Sequence, residues 1–134
     1  MRAVVDTNVL VSAFMNPYGA PRRVVDLLLA RAFVVLLDER ILDEYSGVLL
    51  RPRFAFDLGD VGLLLDFMEH AGEYVVAESL DLLLPDSTDL PFLEVAGAGR
   101  ADALITGNAR DFKPRRGHHS VNVISPADFL LRLA

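Results

Sequence analysis

Four side chains stand where oxygen atoms could be gathered for chemistry: Asp6, Glu44, Asp89 and Asn108, each at the end or margin of a buried apolar run. Carboxylates brought together without a Lys or Arg partner repel one another, and a divalent cation is the natural neutraliser. Oxygen-only ligands favour Mg²⁺ or Mn²⁺ over zinc. The chemistry open to such a set is phosphodiester hydrolysis by water, which requires no covalent protein nucleophile. Taken singly, each residue has a blander role. Asp6 and Asp89 precede apolar helical patterns and read equally as helix caps, and a lone Glu at the border of a packed face commonly reaches solvent.

The elements that must bring these residues together can be followed along the chain. Ala3-Val4-Val5 is short, β-branched and apolar on both faces, as in a parallel strand covered by helices on both sides. Asp6 ends it, and Val9-Leu10-Val11 resumes as a helix, so Asp6 sits on a strand-to-helix turn at the carboxyl edge, where open α/β sheets bind ligands. A turn at Asn16–Gly19 and a helix opened by Ala20-Pro21 lead to a second buried strand, Phe33–Leu37. Asp38 caps a helix whose inner face is Ile41, Leu42, Tyr45, Val48 and Leu49. On it Asp43 points to solvent and Glu44 lies along the apolar border.

A helix over 57–73 carries Val61, Leu64, Leu65 and Met68 inward, with His70 on its surface, and Glu73–Ala77 reads as a third strand. The acidic turn Asp86-Ser87-Thr88-Asp89 opens a helix on which Asp89 shares a face with Phe92, Leu93 and Ala96. Ala103–Thr106 is another buried strand, and Asn108 follows it at the same kind of edge as Asp6. Val121–Ile124 is a last strand, and Ser125-Pro126-Ala127-Asp128 caps a closing helix. The alternation implies an α/β fold, a parallel central sheet with helices on both faces.

At 134 residues and 52% hydrophobic content the chain suits one domain, residues 1–134. The net charge of -6 argues against a general nucleic-acid coat protein but not against a nucleic-acid enzyme whose carboxylates hold cations. Absence of cysteine removes disulfides, thiolate catalysis and Cys-based zinc sites. No apolar run reaches the roughly 18 residues of a membrane span, and the N-terminus lacks a charged leader region, so a cytoplasmic protein is expected.

Candidate phosphate contacts are Arg51 and Arg53, and the local basic segment of Arg110, Lys113, Arg115 and Arg116. Each also has a plain surface role, Arg51 as a helix C-terminal cation. Other phosphate chemistries fit less well. A receiver-type phosphoacceptor wants a paired acid before Asp6 and a Lys at the last strand, whereas Lys113 is the single Lys. A haloacid-dehalogenase-like phosphatase wants Asp where Asn8 stands. Gly97-Ala98-Gly99 ends a helix instead of opening one, against a dinucleotide loop.

Four segments in this order resemble the PIN-domain ribonucleases, in particular the VapC-like toxins of toxin-antitoxin pairs. They are Val4–Leu10, Leu42-Asp43-Glu44-Tyr45, Asp89–Glu94, and Ala101–Asn108 followed by Asp111-Phe112. The resemblance spans nearly the whole chain. It implies a PIN-like three-layer fold and a metal-dependent endoribonuclease, with Asp6, Glu44 and Asp89 as ligands or water activators of Mg²⁺ or Mn²⁺. Thr7 or Asn8, with Thr106, would orient them by hydrogen bonds. It further implies an RNA substrate, a small antitoxin partner and a homodimer. At Asn108 the chain departs from the family, which generally has a fourth acid there. Weak second-metal binding, replacement by Asp111, or loss of activity are the alternatives. The last leaves a catalytically weak module that binds RNA or protein. Asp102 starts the strand that Thr106 ends, roughly 13 Å away at about 3.3 Å per residue, and is assigned a structural role.

Overall fold

The computed structural model describes residues 1–134. Five parallel strands form one sheet in the order β3-β2-β1-β4-β5: β1 Arg2–Val5, β2 Val34–Leu37, β3 Glu73–Tyr74, β4 Ala103–Ile105 and β5 Val123–Ile124. The helices are α1 Thr7–Met15, α2 Ala20–Leu29, α3 Glu39–Leu49, α4 Leu58–Ala71, α5 Leu90–Ala98 and α6 Pro126–Leu133. None is long and apolar enough to cross a membrane.

Sheet order explains where a site can form. From β1 the chain steps outward through β2 to β3, then returns to β1's other side as β4 and β5. Right-handed crossovers in opposite directions put α1 to α4 on one face and α5 on the other. The direction reverses between β1 and β4, and that switch point opens a crevice at the carboxyl ends of these two strands. Pairing of Val5 with Ile105 sets Asp6 and Thr106 side by side as the next residues, and the Asp6 N–H bonds to the Ile105 carbonyl at 2.9 Å.

The strands are central because they are apolar on both faces: Ala3, Val4, Val5, Val35, Leu36, Leu37, Ala103, Leu104 and Ile105 are all buried. α3 buries Ile41, Tyr45 and Leu49 at helical spacing, and the Tyr45 hydroxyl donates to the Val5 carbonyl, tying α3 to the end of β1. α4 buries Val61, Leu64 and Met68, with Leu65 half-buried. β3 is shorter than the 73–77 expected. The Val75 N–H makes a last bond to Leu37, and beyond the end of β2 the chain has no neighbouring strand to pair with. β5 is likewise only Val123–Ile124.

Candidate active site

Asp6 stands at the N-cap of α1 with extended backbone, yet its side chain makes no capping bond. Its Oδ2 instead accepts the Thr106 hydroxyl at 2.8 Å, across the switch point. Asp89, the N-cap of α5, likewise leaves its carboxylate out of the cap. By contrast Asp38, Asp57 and Ser125 cap their helices with their side chains. The two acids that precede α-helices without capping them, Asp6 and Asp89, both face the crevice.

The crevice is a cleft of about 380 Å³ walled by five acids, Asp6, Glu44, Asp86, Asp89 and Asp111, with Thr7, Asn8 and Ser12 on the α1 side. Glu44 reaches it from α3 and accepts the Thr7 hydroxyl. Thr106, itself buried, collects three contacts: it donates to Asp6 and accepts from the Asn108 backbone at 3.1 Å and the Asn8 amide at 3.5 Å. Asn8 also accepts the Gly107 N–H at 3.1 Å, pinning the loop after β4 to α1. Asp6, Glu44, Asp89, Thr7, Asn8 and Thr106 are thus brought together by the fold.

Asn108 is not on the cleft wall. It is exposed, and its amide donates to Asp111 Oδ1 at 3.1 Å. Asp111 occupies the wall from a 3₁₀ turn, Ala109–Phe112, in which positions three apart are eclipsed. Asp86 is an acid that sequence reasoning passed over. Its Oδ1 accepts the Thr88 N–H at 2.9 Å and hydroxyl at 2.8 Å, capping a 3₁₀ turn, Ser87–Asp89, that brings it round to the side of Asp89. The acidic turn was visible in the sequence; its three-residue spacing on a 3₁₀ turn was the unused signal.

Arg51, Arg53, Arg110, Lys113, Arg115 and Arg116 are all exposed and none lines the cleft. Two backbone bonds, Leu83 N–H to Arg116 and Arg115 N–H to Leu83, tie the basic segment to the strap that leads to Asp86. Gly117 beside them has φ 79°, and a Cβ there would meet Leu82 Cβ at 2.7 Å, so the close approach requires glycine. His119 bonds to Phe112 and Val121, a structural use. Asp102 receives the Arg2 N–H at 2.8 Å at the far end of β1, in keeping with a structural role.

None of the five acids has a cationic partner. Burial pushes the Asp6 carboxyl up to about 6; the Thr106 hydrogen bond opposes this, and the Glu44 and Asp111 charges add to it. Burial, then the charges of Asp6, Asp111, Asp86 and Glu44, push Asp89 up to about 7. Asp86, held by Thr88, stays below the ordinary range. The donor set, all oxygen and without a compensating base, fits a hard divalent cation. No three acids are set closely enough to enclose one ion alone. A cation there would be held by one or two carboxylates and completed by waters.

The sequence matches the model of the PIN domain over residues 2–110. The chain belongs to the PIN-domain family. The match ends one residue before Asp111, so it takes in Asp6, Glu44, Asp86 and Asp89. An uncharacterized protein of Methanocaldococcus jannaschii is 29% identical over 111 residues, 81% of this chain and 71% of that protein. The fold of this PIN domain is also similar to the crystal structure of VapBC2 from Rickettsia felis bound to a DNA fragment from their promoter. There the TM-score is 0.61 at 19% identity, over 93% of this chain and 98% of the other.

Proposed function

We propose that this PIN domain, acting as one unit over residues 1–134, is a metal-dependent endoribonuclease that hydrolyses RNA phosphodiester bonds. The observation that carries the reading is the cleft of five acids with no base among them, at the switch point of a PIN fold. One or two of the carboxylates of Asp6, Glu44, Asp89 and Asp111, completed by waters, would hold the cation, with Asn108 acting through Asp111. Mg²⁺ or Mn²⁺ supplies charge neutralisation and Lewis acidity for attack of water on the phosphodiester.

The chain's own residues divide the remaining work. Thr106 and Asn8 lock the carboxylate of Asp6 and the loop after β4 in one arrangement, and Thr7 does the same for Glu44. Asp89, at the cleft wall beside Asp6 and Glu44, would act as a ligand or orient the attacking water. The test is cleavage of a labelled single-stranded RNA with Mg²⁺ or Mn²⁺, by the parent protein and by Asp6→Asn. Loss of cleavage in the variant and in EDTA is expected. No cleavage by the parent under either metal sinks the enzyme reading and leaves a module that binds RNA or protein.

We further propose that the domain is the toxin of a type II toxin-antitoxin pair, cytoplasmic and homodimeric, held inactive by a small antitoxin. Its support is the likeness of its fold to a VapBC structure. A small open reading frame adjoining the gene, whose product co-purifies and suppresses cleavage, is the expected finding; an isolated gene counts against it.

A further inference from the structure

At the end of α3 the chain passes through a 3₁₀ turn, Pro52–Phe54, and then Ala55, whose φ of 50° is left-handed. That reversal lays Phe54 and Phe56 face to face, centroids 5.0 Å and planes 3° apart, and Phe14 of α1 stacks on Phe56 at 5.3 Å. The Arg53 guanidinium lies 5.1 Å from the centre of the Phe54 ring. Beside the stack is a surface pocket of about 340 Å³, walled by Leu49, Leu50, Pro52, Phe56 and Leu58, with Arg51 on its lining. Leu50 and Leu58 are 45% and 69% exposed. Neither Arg51 nor Arg53 meets a carboxylate at ion-pair distance, and the acid that follows, Asp57, is engaged in capping α4.

We propose that this pocket is a nucleotide subsite, holding a base and its phosphate from the single-stranded RNA that passes out of the acidic cleft; the proposal rests on the ribonuclease reading. An apolar pocket beside guanidinium groups that no carboxylate engages is complementary to a nucleotide, which offers an apolar base and an anion together. The pocket and the cleft lie along the same stretch of chain: α3 gives Glu44 and Val48 to the cleft and Leu49 to the pocket, and Leu50 and Arg51, just past its end, also line the pocket. From Glu44 to the end of α3 at Leu49 the helix covers roughly 7.5 Å at about 1.5 Å per residue, and the two residues on to Arg51 add at most about 7 Å, within reach of a strand bound at both. The need for such an anchor is electrostatic. The cleft itself is lined by acids and repels a phosphate backbone outside the point where cations sit. A protein partner would use the apolar walls but leaves the two guanidinium groups without a role.

The experiment is fluorescence anisotropy of a short labelled oligouridylate with the parent protein in EDTA, where binding is read without cleavage. The double variant Arg51→Ala/Arg53→Ala should bind about tenfold more weakly, and its log–log salt slope should shrink by about 1.4, or about 0.7 for each lost phosphate contact. Leu58→Asp, which adds an acid to an exposed wall, should weaken binding about fivefold through lost apolar contact and added repulsion of the phosphate. In the cleavage assay with Mn²⁺ the double variant should raise KM and keep kcat. Thermal melts check that the variants remain folded.

Unchanged affinity and salt slope in the double variant, or no binding by the parent, overturns the proposal. So does a Leu58→Asp protein that binds RNA normally but turns from dimer to monomer in analytical ultracentrifugation, since the pocket is then a protein interface. A parent that binds through Arg51 and Arg53 but does not cleave defeats only the ribonuclease reading. One that cleaves with indifference to both arginines defeats only the subsite.

Discussion

The two ends of β1 treat charge in opposite ways. At its amino end Arg2 bonds to both carboxylate oxygens of Glu73, with Nε at 3.3 Å from Oε1, and to the Gly99 carbonyl at 2.7 Å, and its backbone N–H meets Asp102. The guanidinium holds the Glu73 carboxyl below the ordinary range. At the carboxyl end, a strand's length away, five acids share a cleft without a cationic side chain, and two of them are pushed up by burial and mutual repulsion. Both ends are polar; only one is balanced. The acids at the amino end are met by a guanidinium or a backbone N–H, whereas acids left unpaired in a built cleft cost stability, which points to a ligand that arrives from outside.

The most forceful way to break this comparison is Asp6→Asn. Cleavage of single-stranded RNA should fall by about 10³-fold or more, because a central oxygen ligand is neutralised while its bond to Thr106 can persist. The metal-free variant should also be more stable than the parent. The Asp6 carboxyl is raised from 3.8 to about 6 in the folded protein, so folding binds protons between those pH values and stability falls as pH rises through them. Removing the charge recovers up to about 3 kcal/mol above pH 6 and nothing below pH 4. A variant that melts lower than the parent at pH 8 in EDTA would show that the acids are structural after all.

Next in size is the pair Asp111 and Asn108. Asp111→Asn should lower cleavage by about 10²-fold, and Asn108→Ala, which removes only the donor that holds Asp111, by about tenfold. Asn108→Asp sharpens the point. Read in sequence it restores a missing acid and should raise activity. In the structure it replaces a donor to Asp111 with a second acid and should lower activity, with a weaker Mn²⁺ titration.

That reversal of sign marks where sequence stops being informative. The strands β1, β2 and β4 and the inner face of α3 were legible because apolar runs and helical periodicity report burial directly. β3 was overdrawn because Val75-Val76-Ala77 has a strand's composition, while pairing depends on where β2 ends. Asp6 and Asp89 could not be separated from ordinary N-caps, since the difference lies in where the side chain points. Asp111 was legible only as one replacement for Asn108, and Asp86 was passed over; the first lies on a 3₁₀ turn and the second caps one, and such turns leave no periodic trace in a stretch of three or four residues. The arginines of the α3 exit were noticed as charges; their neighbours Phe54 and Phe56 acquire meaning only through stacking.

Divalent metal should supply the counter-charge that the chain omits. Mn²⁺ at about a hundred times its dissociation constant should stabilise the folded protein by about 2.7 kcal/mol. The gain should be larger at pH 8 than at pH 5.5, because protons compete for Asp6 and Asp89 below about 6 and 7. Differential scanning fluorimetry with and without EDTA reads both effects. In Asp6→Asn the metal-induced shift should largely vanish. A shift of equal size at both pH values, or one that survives in the variant, would place the cation elsewhere.

The smallest effect belongs to the balanced end. Arg2→Ala removes an ion pair whose side chains are 37% and 45% exposed, so solvent screens much of its attraction. It also frees the Gly99 carbonyl, which water can satisfy in part, while the Asp102 contact survives because it uses the backbone N–H of residue 2. The melting temperature should drop by only a few degrees, with cleavage per folded molecule unchanged and no gain of stability at high pH. These outcomes follow from locality. Register between β1 and β4 is set by backbone bonds from Ala3 to Val5, so the amino end can loosen without moving Asp6 against Thr106. A loss of cleavage comparable to that of Asp6→Asn would mean that the charges around Arg2 fix the strand's position, and that the two ends of β1 form one device instead of two.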